Sequence, residues 1–134
     1  IAHARKVFDQ SNVTFEEGDF IGRKLGVFDA VVTLDVIEHI EKKAEAAFLQ
    51  TIVDNLAPEG MAVIGTSNDT ASRYASEASQ IGHVNMFEAD RLDAFLREYF
   101  VHVFVFGMND EVVHTGFSPM CHYLMAVACS PRGA

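Results

Sequence analysis

Basic residues are scarce in this 134-residue chain: 10 Lys and Arg stand against 19 Asp and Glu, a formal net charge of −9. No basic run exceeds Lys42-Lys43, so the positive stripe that neutralises a phosphate backbone is missing and general nucleic-acid binding is excluded. Long apolar runs are missing too. Val103 to Met108 and Tyr123 to Cys129 are the longest, far short of the roughly 20 residues that cross a bilayer. Cysteine is rare, with only 2 residues, Cys121 and Cys129. Placed on one strand at ~3.3 Å per residue, they stand ~26 Å apart, beyond the reach of a disulfide. No basic-then-apolar signal opens the chain, so a soluble protein in a reducing, cytoplasmic compartment is expected. Motifs of other chemistries are absent: no G-x-S-x-G elbow, no G-x-x-x-x-G-K-S/T loop and no C-x-x-C pair.

What is present is a chain that is 49% hydrophobic, enough for a core, with no repeat, linker or low-complexity tract to divide it. Residues 1–134 read as a single domain. Ile1, Ala4 and Phe8 share one face of an opening helix, which reads as the second half of a longer one, so natural sequence is expected ahead of Ile1. Val13 to Gly18 alternates apolar and polar like a half-exposed strand, whereas Phe28 to Leu34 is almost continuously apolar, like a parallel strand covered on both faces. Lys42 to Leu56 has helical spacing, stopped by Pro58-Glu59-Gly60. Met61 to Thr66 is a second covered strand, Ser67 to Gln80 a polar loop with a short helix, and Glu88 to Tyr99 an amphipathic helix. Phe100 to Met108 and His122 to Cys129 are two long strands joined by Asn109 to Met120. This order predicts an α/β fold: a mostly parallel sheet with a C-terminal antiparallel strand pair. Ligands in such sheets bind at the carboxyl ends of the strands, which here means Gly18-Asp19-Phe20, Leu34 to His39 and Thr66-Ser67-Asn68.

Three features in order, Gly18-Asp19 after a strand, Phe28-Asp-Ala-Val-Val-Thr-Leu-Asp-Val-Ile-Glu-His-Ile40, and Leu56-Ala-Pro-Glu-Gly60 before a strand, resemble class I S-adenosylmethionine-dependent methyltransferases. The likeness is to the branch whose fourth strand ends in a D/E-V-I/L-E-H signature. It covers essentially the whole chain, from the end of the family's second strand–helix unit onward, and implies a partial Rossmann-like methyltransferase fold. It also implies cofactor contacts by Asp19 and Phe20 to the adenine, and by Leu34, Asp35 and Val36 to the methionine part. Glu38, beside these, and His83 and His114, from the later loops, are the candidate acceptor contacts.

His39 and His83 are the candidate catalytic groups, because imidazole is the side chain best suited to moving a proton near neutral pH. Three of the candidate residues have structural alternatives. His39 reads equally as a hydrogen-bonded histidine fixing its loop, Asp19 as a strand-end turn residue, and His114 as part of a solvated turn. Some relatives with an E-x-x-E-H pattern hold a metal, and Asp35, Glu38, His39 and His83 have the oxygen and imidazole donors for Mg²⁺ or Mn²⁺. The first position here is Asp, one methylene shorter, and no metal ligand is assigned.

The family's first strand, its G-x-G-x-G loop and the acidic residue that binds the ribose have no counterpart in this sequence. The resemblance therefore implies an N-terminally truncated domain holding about half of a cofactor site, with weak or absent S-adenosylmethionine binding in this chain alone. The expected function is methyl transfer to a small-molecule acceptor in the complete protein. The alternative is a non-catalytic methyltransferase-like module acting by binding or self-association. In the family the first strand lies beside the fourth. Without it Phe28 to Leu34 becomes an unpaired apolar edge, a template for a homo-oligomer or for pairing with Val13 to Glu17. A nicotinamide-binding half-domain fits less well, since the nucleotide fingerprint is missing.

Overall fold

The computed structural model describes residues 1–8 and 12–133. Helix α1 (Ala2–Val7) opens the chain and buries none of its residues, touching the segment that follows through Phe8 against Phe15 and the Arg5 guanidinium on the Phe15 carbonyl. The expected strand at Val13 to Gly18 does not form. Its alternation is right, but among the described residues no strand pairs with it, and an extended segment without a ladder is not a strand. Glu16 instead meets Arg23 in an exposed ion pair.

The sheet proper has five strands: β1 (Phe28–Leu34), β2 (Leu56–Ser67), β3 (Phe100–Asn109), β4 (Val112–His114) and β5 (Tyr123–Pro131). They lie in the order β1-β2-β5-β3-β4. β1 and β2 are parallel neighbours, Val31 opposite Ala62 and Thr33 opposite Ile64. β5 is antiparallel to both β2 and β3, and the short β4 adds an antiparallel outer strand to β3. β1, β2 and β3 thus share one direction and the closing strands oppose it, which is the α/β arrangement the sequence pattern predicts.

Helix α2 (Glu45–Asp54) crosses from β1 to β2, and the helix α4 (Ala89–Arg97) from β2 toward β3, with the short α3 (Glu77–Gly82) between. Phe48, Leu49, Ile52 and Val53 make the buried stripe of α2, and Leu92 and Leu96 that of α4. Both stripes join the core formed by Ala62, Ile64, Leu124, Ala126 and Ala128 of the sheet. One face of the sheet is therefore covered. α2 is shorter than its apolar spacing suggests. A 3₁₀ turn, Lys42–Ala44, precedes it, and it ends at Asn55 rather than at Pro58. The Asn55 side chain explains the stop. Its carbonyl accepts from the N–H groups of Leu25 and Gly26, and its amide donates to the carbonyls of Arg23 and Thr51. Such a side chain satisfies two chain segments at once and turns the chain straight into β2.

β1 is the exception to the expectation of covered strands. It stands at the sheet edge with Phe28, Val32 and Leu34 exposed on the face away from the helices. No helix among the described residues is long and apolar enough to cross a membrane.

Candidate functional site

β1 and β2 deliver their carboxyl ends side by side, at Leu34 and Ser67. Directly after Leu34 the chain turns sharply. Asp35 has φ +55°, in the left-handed region that Asp tolerates better than most side chains, and its N–H donates to the Gly65 carbonyl at 3.1 Å. A 3₁₀ turn, Ile37–His39, follows, with Ile37 and Glu38 both fully buried. Ile37 anchors the turn in the core, which leaves Glu38 inside the protein and His39 at its surface.

Glu38 works through both its backbone and its side chain. Its carbonyl accepts from the N–H groups of Val84 and Asn85, at 2.9 and 3.0 Å, and so fixes the segment that carries His83. Carboxylate Oε2 accepts from the Thr66 hydroxyl at 3.0 Å, while Oε1 is buried with no protein donor. A buried carboxylate oxygen without a donor is costly and calls for one. His39 Nδ1 lies 2.8 Å from the Gly82 carbonyl. A carbonyl only accepts, so Nδ1 carries a proton, and in the neutral ring the lone pair is on Nε2. The rings of His39 and His83 meet edge to face, and one ligand atom from each of Glu38, His39 and His83 falls within 4.8 Å of the others. A carboxylate oxygen and two imidazole nitrogens at this spacing have the composition of a divalent-metal site as well as of a proton-transfer pair.

Beyond His83 opens a cavity of about 330 Å³, walled by Ser67, Asn68, Tyr74, His83, Met86 and His122 among others. That is the volume of a small-molecule site. Asn68 frames it: its amide donates to the carbonyls of Ser118 and Cys121, and its carbonyl oxygen caps the 3₁₀ turn Asp69–Tyr74.

Other expected residues lie elsewhere. Asp19, Asp35 and Glu38 are not among the side chains lining the His83 cavity. The Asp19 carboxylate accepts from the Ile21 N–H two residues on, a turn-stabilising bond, and Phe20 packs edge-on against Phe48 of α2, 5.8 Å between ring centres. Leu34 and Asp35 are exposed and Val36 is half-buried. His114 is displaced most: it sits on β4, at the edge of the sheet opposite β1. Its Nδ1 accepts from the Gly116 N–H, and Nε2 faces Asn109 and the Cys121 sulfur. It ties β3 to the connection between β4 and β5. Cys121 and Cys129 are free thiols.

Tyr123 is the residue that sequence reasoning missed. It opens β5, opposite Ser67 in the ladder, and its hydroxyl occupies the space above Gly65, 2.5 Å from where a Cβ would stand. Burial, then the negative charge of neighbouring Asp35 and a hydrogen bond to it, push the Tyr123 hydroxyl well above the usual tyrosine range. The signal lay in the strand order. A final strand antiparallel to β2 must begin where β2 ends, so its first side chain belongs to the site.

Several solved structures that superpose on this chain are described as methyltransferases. A possible histamine N-methyltransferase from Thermotoga maritima superposes with a TM-score of 0.65 at 14% identity, over 82% of this chain and 59% of its own. The N-methyltransferase NodS of Bradyrhizobium japonicum, in complex with S-adenosyl-L-homocysteine, gives 0.63 at 21%, over 96% of this chain and 60% of its own. The chain has the fold of class I S-adenosylmethionine-dependent methyltransferases. At these identities the structural likeness is one of fold. In sequence, the ubiquinone biosynthesis O-methyltransferases of Rickettsia felis and Rickettsia conorii are each 40% identical over 48 residues, 36% of this chain. The matched stretch takes in 19% and 16% of those enzymes, so the chain matches less than a fifth of either. No known family profile matches the chain.

Proposed function

We propose that residues 1–134 form, as one unit, the acceptor-side portion of an S-adenosylmethionine-dependent methyltransferase that acts on a small molecule. The observation that carries this reading is the turn at Asp35, which leads straight from the end of β1 into the Glu38, His39 and His83 cluster beside a small-molecule cavity. Leu34, Asp35 and Val36 would flank the methionine part of the cofactor, with Asp35 oriented by Tyr123. Asp19 and Phe20 would meet the adenine, although one carboxylate oxygen of Asp19 and the ring of Phe20 are already engaged. When bound, the cofactor supplies an electrophilic methyl group on a sulfonium whose departure leaves a neutral thioether. The chain's own contribution is orientation, holding the acceptor atom in line from the cavity side. Proton removal falls to His39 Nε2, with His83 as its neighbour and hydrogen-bonding partner of the acceptor.

The same cluster fits a divalent cation. The unpartnered Glu38 Oε1, the free Nε2 of His39 and a nitrogen of His83 would hold it, and it would lower the pKa of an acceptor hydroxyl there. A non-catalytic binding module is the second reading, favoured by the open face of the sheet.

A ¹⁵N-labelled chain titrated with S-adenosylhomocysteine to millimolar concentration separates these readings. Shifts confined to the amides of Asp19, Phe20 and Leu34 to Val36, reduced by D35N, support the methyltransferase reading. Absence of any shift at those residues at millimolar ligand defeats it.

A further inference from the structure

The stretch that carries His83 borders a second hollow, next to the first and about 400 Å³ in volume. Ser72, Ala75, His83 and Met86 line both, so the two are lobes of one space. The second lobe adds the side chains of Arg73 and Gln80. All six residues fall between positions 72 and 86, a single run of chain whose ends are fixed by the hydrogen bonds of Asn68 and of the Glu38 carbonyl.

The sign of the charge here runs against that of the chain. With 19 acidic residues against 10 basic ones overall, the two lobes have one Lys, Arg, Asp or Glu among the described residues that line them, and it is Arg73. Asp69 and Glu77 belong to the same stretch, yet neither lines a lobe, and nor does the buried Glu38. Arg73 makes no ion pair among the described residues. Its guanidinium carbon lies 4.7 Å from the centre of the Tyr74 ring. Stacking of that kind steadies the planar fork through its face and leaves the N–H donors in its plane free. The Ser72 hydroxyl and the amide of Gln80, which is held by its bond to the Ala75 carbonyl, bring further donors to the same lobe.

We infer that the methyl acceptor is a small aromatic hydroxy acid, bound by its carboxylate at Arg73 with its hydroxyl toward His83. This deepens the methyltransferase reading and rests on it. Arg73 and His83 border one lobe, so a single small molecule reaches both. A guanidinium fork takes a carboxylate through two parallel hydrogen bonds, and Tyr74, His83 and Met86 offer the flat or polarisable surfaces on which an aromatic ring packs. A protonated amine finds the reverse: no carboxylate lines either lobe, and Arg73 repels it.

Three phenols of matched length form the test: 4-hydroxyphenylacetate, neutral 4-ethylphenol and cationic tyramine, each titrated into the ¹⁵N-labelled 134-residue chain at low salt. The anion is expected to move the amides of residues 72–83 and to bind about tenfold more tightly than 4-ethylphenol, with tyramine weaker still. In R73Q the anion falls to the level of 4-ethylphenol, whose own binding is unchanged because the lobe still forms. In R73K the order of anion over cation is kept. Tyramine binding as tightly as the anion overturns the proposal, as does an anion preference that survives R73Q. Absence of any shift at residues 72–83 with all three phenols at high millimolar concentration overturns it as well. The S-adenosylhomocysteine titration reads different amides, those of Asp19, Phe20 and Leu34 to Val36. Its failure alone removes methyl transfer and leaves an anion site standing, whereas failure of the phenol series beside intact cofactor shifts removes this assignment alone.

Discussion

The imidazole of His39 stands edge-on to that of His83 with 5.0 Å between ring centres, and the first of the two is pinned by its bond to the Gly82 carbonyl. That bond joins the end of β1 to the end of α3. Replacing His39 by Ala removes one hydrogen bond of about 0.5–1.5 kcal/mol, so local opening of residues 76–83 becomes up to about tenfold more frequent. Hydrogen exchange of the α3 amides is the measurement. Those of β2 serve as the unaffected reference.

Glu38 is the clearest place to test a cation. Mn²⁺ at sub-millimolar concentration is expected to broaden the resonances of residues 38, 39 and 83 before any others. E38Q preserves the bond with Thr66 and the backbone clasp on Val84 and Asn85, so the fold persists while the broadening is lost. Broadening that persists in E38Q would place the ion elsewhere.

Tyr123 makes a prediction at high pH. Its pKa in the folded chain is raised above the ordinary value of 10 by burial and by Asp35. A raised group contributes its stability in full below the unfolded pKa and loses it as pH climbs toward the folded one. The difference in urea midpoint between wild type and Y123F is therefore constant at neutral pH. Above pH 10 the wild type weakens relative to the variant. A constant difference up to pH 11.5 or so would show that Tyr123 titrates no differently when folded.

For cofactor affinity, calorimetric titration with S-adenosylhomocysteine is expected to give weak binding. Two or three charged hydrogen bonds that a glycine-rich loop and a ribose carboxylate would add are worth about 1.5–3 kcal/mol each. Their absence moves a micromolar ligand to ~0.1 mM or weaker. A low-micromolar constant for this chain contradicts that estimate.

Stability at the α2–β2 junction hangs on Asn55, whose side chain makes bonds to Arg23, Leu25, Gly26 and Thr51. N55A is expected to cost roughly 2–4 kcal/mol, since it strips buried backbone groups of their partners. Urea unfolding measures it.

The parallel pairing of β1 with β2 and the antiparallel close of the sheet were legible because each rests on a local rule: a helix between two apolar runs, and a polar link between two long ones. The Asp35 to His39 turn was legible as the place where β1 ends. The bond from the Glu38 carbonyl to Val84 and Asn85 was not, because backbone groups leave no trace in residue identity. Val13 to Gly18 misled for a related reason, since alternation marks a segment able to be a strand and only a neighbour makes it one. His114 was legible as polar and close to a turn, but which edge of the sheet that turn occupies depends on the long-range order of strands.

Asn68 and Glu38 between them pin the two ends of the stretch from Asp69 to His83, one through Ser118 and Cys121, the other through Val84 and Asn85. The stretch is thus built like a bucket handle, riveted to the sheet at either end and bowed over the hollow. Changes in the bow at Ser72, Tyr74 or Ser79 reshape the hollow without disturbing the rivets, so selection can redraw what fits beneath the handle while the strands below stay as they are.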